Sequence, residues 1–148
     1  VDQHHEVKPV SGTFLARAGI ELSRAERYRI FICLTELDLG FTRDIFGEEE
    51  SLKLMERIHE VVRNNVRDCD YSAFVNGRSL CLLFPETSRQ GAEVASRRVS
   101  EVIRKELARH TDKPLEAIIP VELASYPDAA GAKTIKEFLK ELQKRNRN

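Results

Sequence analysis

Tyr71-Ser72-Ala73-Phe74-Val75, then Asn76-Gly77-Arg78, then Ser79-Leu80-Cys81-Leu82-Leu83-Phe84-Pro85, is the stretch whose reading decides the fold. Two strand-like runs rich in apolar residues flank an Asn-Gly pair. Asn and Gly accept positive φ at both central turn positions at little cost, so the segment reads as a β-hairpin. Arg67-Asp68-Cys69-Asp70 leads into it, and Glu86-Thr87 follows.

Working outward, helical and strand periodicities alternate. Residues 1–12 are polar, contain His4 and His5 and lack apolar periodicity, which predicts a linker or flexible lead-in whose histidines face solvent rather than a metal. From Thr13, the residues Phe14, Leu15, Ala18, Leu22 and Ala25 fall on one helical stripe. Positions 29–37 form a nearly continuous apolar run, as expected of a central strand buried on both faces. Positions 41–47 read as irregular, and 50–65 as a helix through Leu54, Met55, Ile58, Val61 and Val62.

Beyond the hairpin, Ser88 can cap a helix whose inner face is Ala92, Ala95, Val99, Val102 and Ile103. A strand is predicted over 117–124, and Thr134 can cap a last helix using Ile135, Phe138, Leu139 and Leu142. The order helix, strand, helix, hairpin, helix, strand, helix implies one α/β (α+β) domain over 13–148, with a mixed sheet covered by helices.

Composition narrows the function classes. With 148 residues and 41% hydrophobic content the chain is sized for one core. Lys+Arg and Asp+Glu both number 24, so no net field draws it to nucleic acid or an acidic membrane. Cys33, Cys69 and Cys81 are odd in number and widely spaced, which suits reduced thiols in a cytoplasmic protein or in the cytoplasmic part of a membrane-associated one. No run approaches the roughly 18 apolar residues of a membrane span.

The Asp, the turn and Leu83-Phe84-Pro85-Glu86-Thr87 together resemble the central hairpin of GGDEF (diguanylate cyclase) domains. The likeness runs from about Phe14 to Leu142 and implies the nucleotidyl cyclase-like fold. Counted back from Pro85-Glu86-Thr87, the five turn residues that name the family fall on Asn76, Gly77, Arg78, Ser79 and Leu80, of which one is retained. Within the family the chain resembles the degenerate receptors of the Pel exopolysaccharide type.

A diguanylate cyclase condenses two GTP molecules, and the resemblance implies two carboxylates holding magnesium, which prefers hard oxygen ligands. The acidic turn positions are here Arg78 and Ser79. The strand-end acidic pair falls on Thr35 and Leu37 without a gap, or on Glu36 and Asp38 after a one-residue shift. The guanine-contacting positions fall on Arg43 and Leu52. Loss of the turn acids points to a domain that is not an enzyme and needs no metal or cofactor.

The family's inhibitory site for cyclic di-GMP is an Arg-x-x-Asp pair, matched by Arg67 and Asp70, with a second Arg on the next helix, matched by Arg98. Arg97 is a candidate accessory phosphate contact, although neighbouring helix residues point about 100° apart. A guanidinium fork can bond guanine O6 and N7 together, and a carboxylate complements the guanine N–H edge. Arg-x-x-Asp also reads as a plain surface ion pair. The implied ligand is cyclic di-GMP. The implied partners are an upstream sensor domain or a downstream effector in exopolysaccharide or secretion machinery, with a homodimer left open. The alternative is a ligand-free scaffold for dimerisation or protein interaction.

Other candidates read as structural. His59 fits a packed or half-buried position better than a catalytic base, and His110 has no nucleophile to serve. Glu48-Glu49-Glu50 favours a helix N-terminus. Residues 140–147 read as a basic solvated tail, not a nucleic-acid patch, since they lack interleaved aromatics.

Overall fold

The computed structural model describes residues 12–75 and 77–147, with positions 146 and 147 as backbone alone. The lead-in with its two histidines, and Asn76 of the turn, lie outside the described residues. The chain runs α1 (Gly12–Tyr28), β1 (Ile32–Asp38), α2 (Thr42–Phe46), α3 (Glu48–Arg63), β2 (Tyr71–Val75), β3 (Ser79–Pro85), α4 (Arg89–Ala108), β4 (Val121–Tyr126) and α5 (Ile135–Arg147). The hairpin forms as read, with Tyr71 opposite Leu83 and Val75 opposite Ser79, and Gly77 takes φ 81 in the turn.

The sheet order is β2-β3-β1-β4, and every pairing is antiparallel. A mixed sheet was expected because β1 and β2 are joined through helices. They do run in the same direction, but β3 folds back between them, so two parallel strands never become neighbours. The continuous apolar run of β1 therefore reports cover on both faces, not parallel pairing.

That cover is two helical layers. Cys33, Leu37, Leu80, Leu82 and Phe84 point to one face and pack on Leu54, Met55, Ile58 and Val62 of α3 and on Ala92, Val99 and Ile103 of α4. The alternate residues Ile32, Leu34, Cys81 and Leu83 point to the other face, onto Phe14, Ala18, Leu22 and Ala25 of α1 and Ile135, Phe138 and Leu142 of α5. Burial of this kind is worth about 1.5–3 kcal/mol per large side chain. Inside these layers the Cys33 thiol is pushed up to about 12 by desolvation, and that of Cys81 is also raised by burial. Cys69 alone of the three is exposed.

Boundaries moved where a side chain or a missing donor intervened. The predicted strand over 117–124 begins instead at Val121, because Pro120 has no N–H to give a ladder. The segment before it is tied to α4 by the Arg104 guanidinium, which donates to the carbonyls of Leu115 and Ala117. Residues 41–47, read as irregular, contain the single turn of α2. The basic segment 140–147 is no solvated tail: it belongs to α5.

Both predicted caps form. Ser88 Oγ accepts from Gly91 N at 3.1 Å, and Thr134 and Glu137 make a reciprocal capping box at 2.9 and 3.1 Å. No helix among the described residues is long and apolar enough to cross a membrane. Leu34, fully buried between α1, α5 and the sheet, should lose about 2–5 kcal/mol as Leu34→Ala in urea unfolding, whereas exposed Ile118→Ala should change stability by less than about 0.5 kcal/mol.

Candidate functional site

The hairpin has two ends with different chemistry. At its open end the chain enters through 67–70, a tight turn in which Asp70 N donates to Arg67 O at 3.0 Å. The Asp70 carboxylate closes this turn by accepting from Arg67 N at 2.9 Å, and its backbone carbonyl accepts from Arg63 at 2.9 Å. Asp70 is thus held by bonds to residues within seven positions of it.

The Arg67 side chain folds back over it. Its Nη2 donates to Asp70 Oδ1 at 2.9 Å, to Pro85 O at 2.9 Å and to Thr87 Oγ1 at 2.6 Å. The hydrogen bond to Asp70 raises the Arg67 pKa above its already high usual value. Arg67 is 51% exposed and Asp70 only 3%, so the guanidinium covers the carboxylate.

A cavity of about 350 Å³ opens beside this pair, and its walls include Arg67, Asp70, Phe84, Thr87, Gly91, Val94 and Arg98. α4 brings Arg98 here because its inner face, set by Ala92 and Val99, leaves Ala95 and Arg98 turned toward the α3–β2 connection. Arg98 donates to Asn65 O at 3.4 Å, at the end of α3. The three residues that the resemblance singled out, Arg67, Asp70 and Arg98, therefore share one cavity. Arg97 does not join them: it lines a separate hollow of about 260 Å³ with Glu93, Ser96, Ser100, Val121 and Leu123, as the rotation between adjacent helix positions requires.

At the turn end, charges are paired off. Arg78 is 6% exposed and donates to Ser51 Oγ at 3.0 and 3.1 Å and to Glu48 O at 3.2 Å, with the Glu48 carboxylate 3.0 Å away. A cation at the first turn of α3 opposes the helix dipole, and Glu48, Glu49 and Glu50 offset it there. Hydrogen bonding to Arg78 holds the Glu48 carboxyl below its usual value.

Thr35 and Leu37 point into the α3/α4 layer, where Ser96 donates to Thr35 at 3.3 Å. Glu36 and Asp38 occupy the opposite face and line a cavity of about 410 Å³ with Pro120, Val121, Glu122 and Arg145. Both Glu36 oxygens are taken by the Arg145 guanidinium, at 2.6 and 2.8 Å. Asp38 instead accepts from Gly40 N at 2.9 Å.

The side chains at the positions that the resemblance assigns to magnesium are cationic, neutral or already paired. Arg78 brings a positive charge, Ser79 supplies no carboxylate, and Glu36 is already neutralised. Among the described residues no group of three or more His, Cys, Asp and Glu could hold a metal ion. Arg43 is exposed and paired with Glu48 at 3.2 Å, and Leu52 is half-buried.

His59 and His110 each have a side-chain partner within the fold. His59 Nε2 lies 2.9 Å from Ser72 Oγ, with its ring edge-on to Phe74. His110 follows α4 and lies 3.0 Å from Glu106, a buried carboxylate also held by Arg57 at 3.2 Å. Sequence reasoning missed Arg145, which reaches Glu36 across 109 positions, and gave Thr87 no role. Only the motif containing Pro85-Glu86-Thr87 hinted at the latter.

No protein-family model matches the chain, and no curated protein matches it. Solved structures do. The GGDEF domain of YfiN (TpbB) from Pseudomonas aeruginosa aligns with 95% of this chain and 83% of its own, at TM-score 0.61 and 17% identity. The active GGEEF domain of a diguanylate cyclase from Vibrio cholerae aligns over 93% and 86%, at TM-score 0.62 and 16% identity. The FimX GGDEF domain from Pseudomonas aeruginosa aligns over 96% and 89%, at TM-score 0.59 and 15% identity. The fold of this chain is that of a GGDEF domain.

Arg145→Ala leaves Glu36 buried and unpaired and should cost about 2–3 kcal/mol in urea unfolding, below the cost for a fully buried pair because Arg145 is partly solvated. Adding Glu36→Gln should restore part of the loss. Burial, and then the charge of Arg63, lowers the His59 pKa from 6.5, so below pH 6.5 the unfolded chain binds the extra proton first. This contribution to stability is complete above pH 6.5 and lost as pH falls through the folded value. Urea midpoints at pH 7.5 and 5.5 should therefore diverge less in His59→Gln than in the parent.

Proposed function

We propose that this chain is a noncatalytic receptor domain for cyclic di-GMP, binding the dinucleotide through Arg67, Asp70 and Arg98. The observation that carries the reading is their meeting in one cavity, although Arg98 comes from a separate helix. Arg67 suits the O6/N7 edge of guanine, the Asp70 carboxylate suits its N–H edge, and Arg98 adds positive charge for phosphate. The exposed side chain of Val94 on the cavity wall offers an apolar surface for a base. Several solved GGDEF domains share the fold, and one of them belongs to a diguanylate cyclase.

In this reading, ligand stabilises one arrangement of α4 against the hairpin, and a partner senses that arrangement in proportion to the ligand's preference for it. The partner class is an upstream sensor domain, an effector of exopolysaccharide or secretion machinery, or a second copy of the chain. Cyclase turnover is absent because Arg78 and the Arg145-bound Glu36 leave no carboxylate pair for magnesium. One observation favours the alternative of a ligand-free interaction module: Asp70 is buried and its carboxylate is already satisfied by Arg67.

Isothermal titration with cyclic di-GMP separates the two readings. The receptor gives saturable binding that Arg67→Ala and Asp70→Asn reduce by at least about tenfold, the loss expected when a charge-assisted contact goes. Absence of heat at high ligand concentration supports the module instead. Incubation with GTP and magnesium should release no pyrophosphate.

A further inference from the structure

We propose that Thr87 is a positioning residue that gates this site by holding Arg67 in a closed, self-satisfied state over Asp70. The inference rests on the receptor reading and concerns what the ligand must displace.

The geometry is uneven across the guanidinium. Nη2 has two hydrogens but three acceptors within reach: Asp70 Oδ1 at 2.9 Å, Pro85 O at 2.9 Å and Thr87 Oγ1 at 2.6 Å. Nε lies 3.5 Å from Asp70 Oδ2, while Nη1 has no partner among the described residues. A guanine edge is read by two parallel N–H donors, so end-on binding needs Nη1 and Nη2 together. One of these is free and the other is held. Reaching Asp70, 3% exposed beneath a half-exposed Arg67, also requires the guanidinium to swing aside.

Thr87 is built to hold. Its hydroxyl accepts from Arg67 Nη2 and donates to Pro85 O at 2.8 Å, which aligns the two oxygens on the same nitrogen. Its methyl lies against the first turn of α4, where a Cβ added at Gly91 would come within 3.2 Å of Thr87 Cγ2. The absent side chain at Gly91 thus gives Thr87 room for this rotamer. Arg67 is in this way tied to the loop that starts α4, and ligand entry exchanges these bonds for bonds to a base.

A closed state that must open lowers apparent affinity by the fraction of open molecules, so weakening the latch raises affinity. Isothermal titration with cyclic di-GMP on the full chain tests this, using Thr87→Val, which keeps the shape and removes the hydroxyl, and Thr87→Ser, which keeps the hydroxyl. Thr87→Val should bind about three- to tenfold tighter than the parent, and Thr87→Ser within about twofold of it. Thr87→Ala should shift affinity in the same direction as Thr87→Val, which guards against a packing defect peculiar to valine.

Binding by Thr87→Val where the parent shows none also supports the gate. Equal or weaker binding by Thr87→Val and Thr87→Ala, with parental binding intact and lost in Arg67→Ala, overturns the gate and leaves the receptor reading standing. Absence of heat from every one of these proteins overturns both.

Discussion

Burial of β1 and β3 on both faces is the constraint from which the rest of this structure follows. Each strand has a neighbour on both edges and a helical layer above and below, so its interior positions carry Ile32, Cys33, Leu34, Leu80, Leu82 and Leu83 with almost no solvent contact. Each charged group buried against these layers must find a partner or pay desolvation. Glu36 takes Arg145, Asp70 takes Arg67, Arg78 takes Glu48 with Ser51, and Glu106 takes Arg57 with His110.

These pairs divide the molecule into two poles. At the hairpin turn, where β1 ends opposite the start of β3, Arg78 is held by Glu48 and Ser51, and Arg145 by Glu36. At the open pole, β2 begins and β3 ends beside the first turns of α4, and there a cavity remains. The polar groups there come from two connections, the turn after α3 and the loop after β3, and from α4. Arginine chemistry differs accordingly. Arg78 is buried against Glu48 and Ser51, and Arg145 is engaged at both terminal nitrogens by Glu36, while Arg67 keeps half its surface and one nitrogen open.

The Asp70 carboxylate serves the structure twice, and the receptor reading asks it to serve a ligand as well. It closes the 67–70 turn through a backbone N–H and pairs with the side chain of the same Arg67. In the receptor reading a base edge replaces the side-chain bonds while the backbone bond persists, because a carboxylate oxygen carries two lone-pair sites.

Much of the fold was legible in the sequence because its signals are local. The turn between Val75 and Ser79, the apolar stripes Phe14 to Ala25, Leu54 to Val62 and Ala92 to Ile103, and the caps at Ser88 and Thr134 rest on backbone preference and side-chain period. The choice of Arg67, Asp70 and Arg98 as candidates was legible only through resemblance, since Arg-x-x-Asp by itself reads as an ion pair, which it also forms. Tertiary structure alone decided that β3 lies between β1 and β2, that Arg145 reaches Glu36, that Arg97 turns away, and that Thr87 meets Arg67. Each of these depends on which surfaces meet after helices and strands have packed, and distance along the chain carries no record of that.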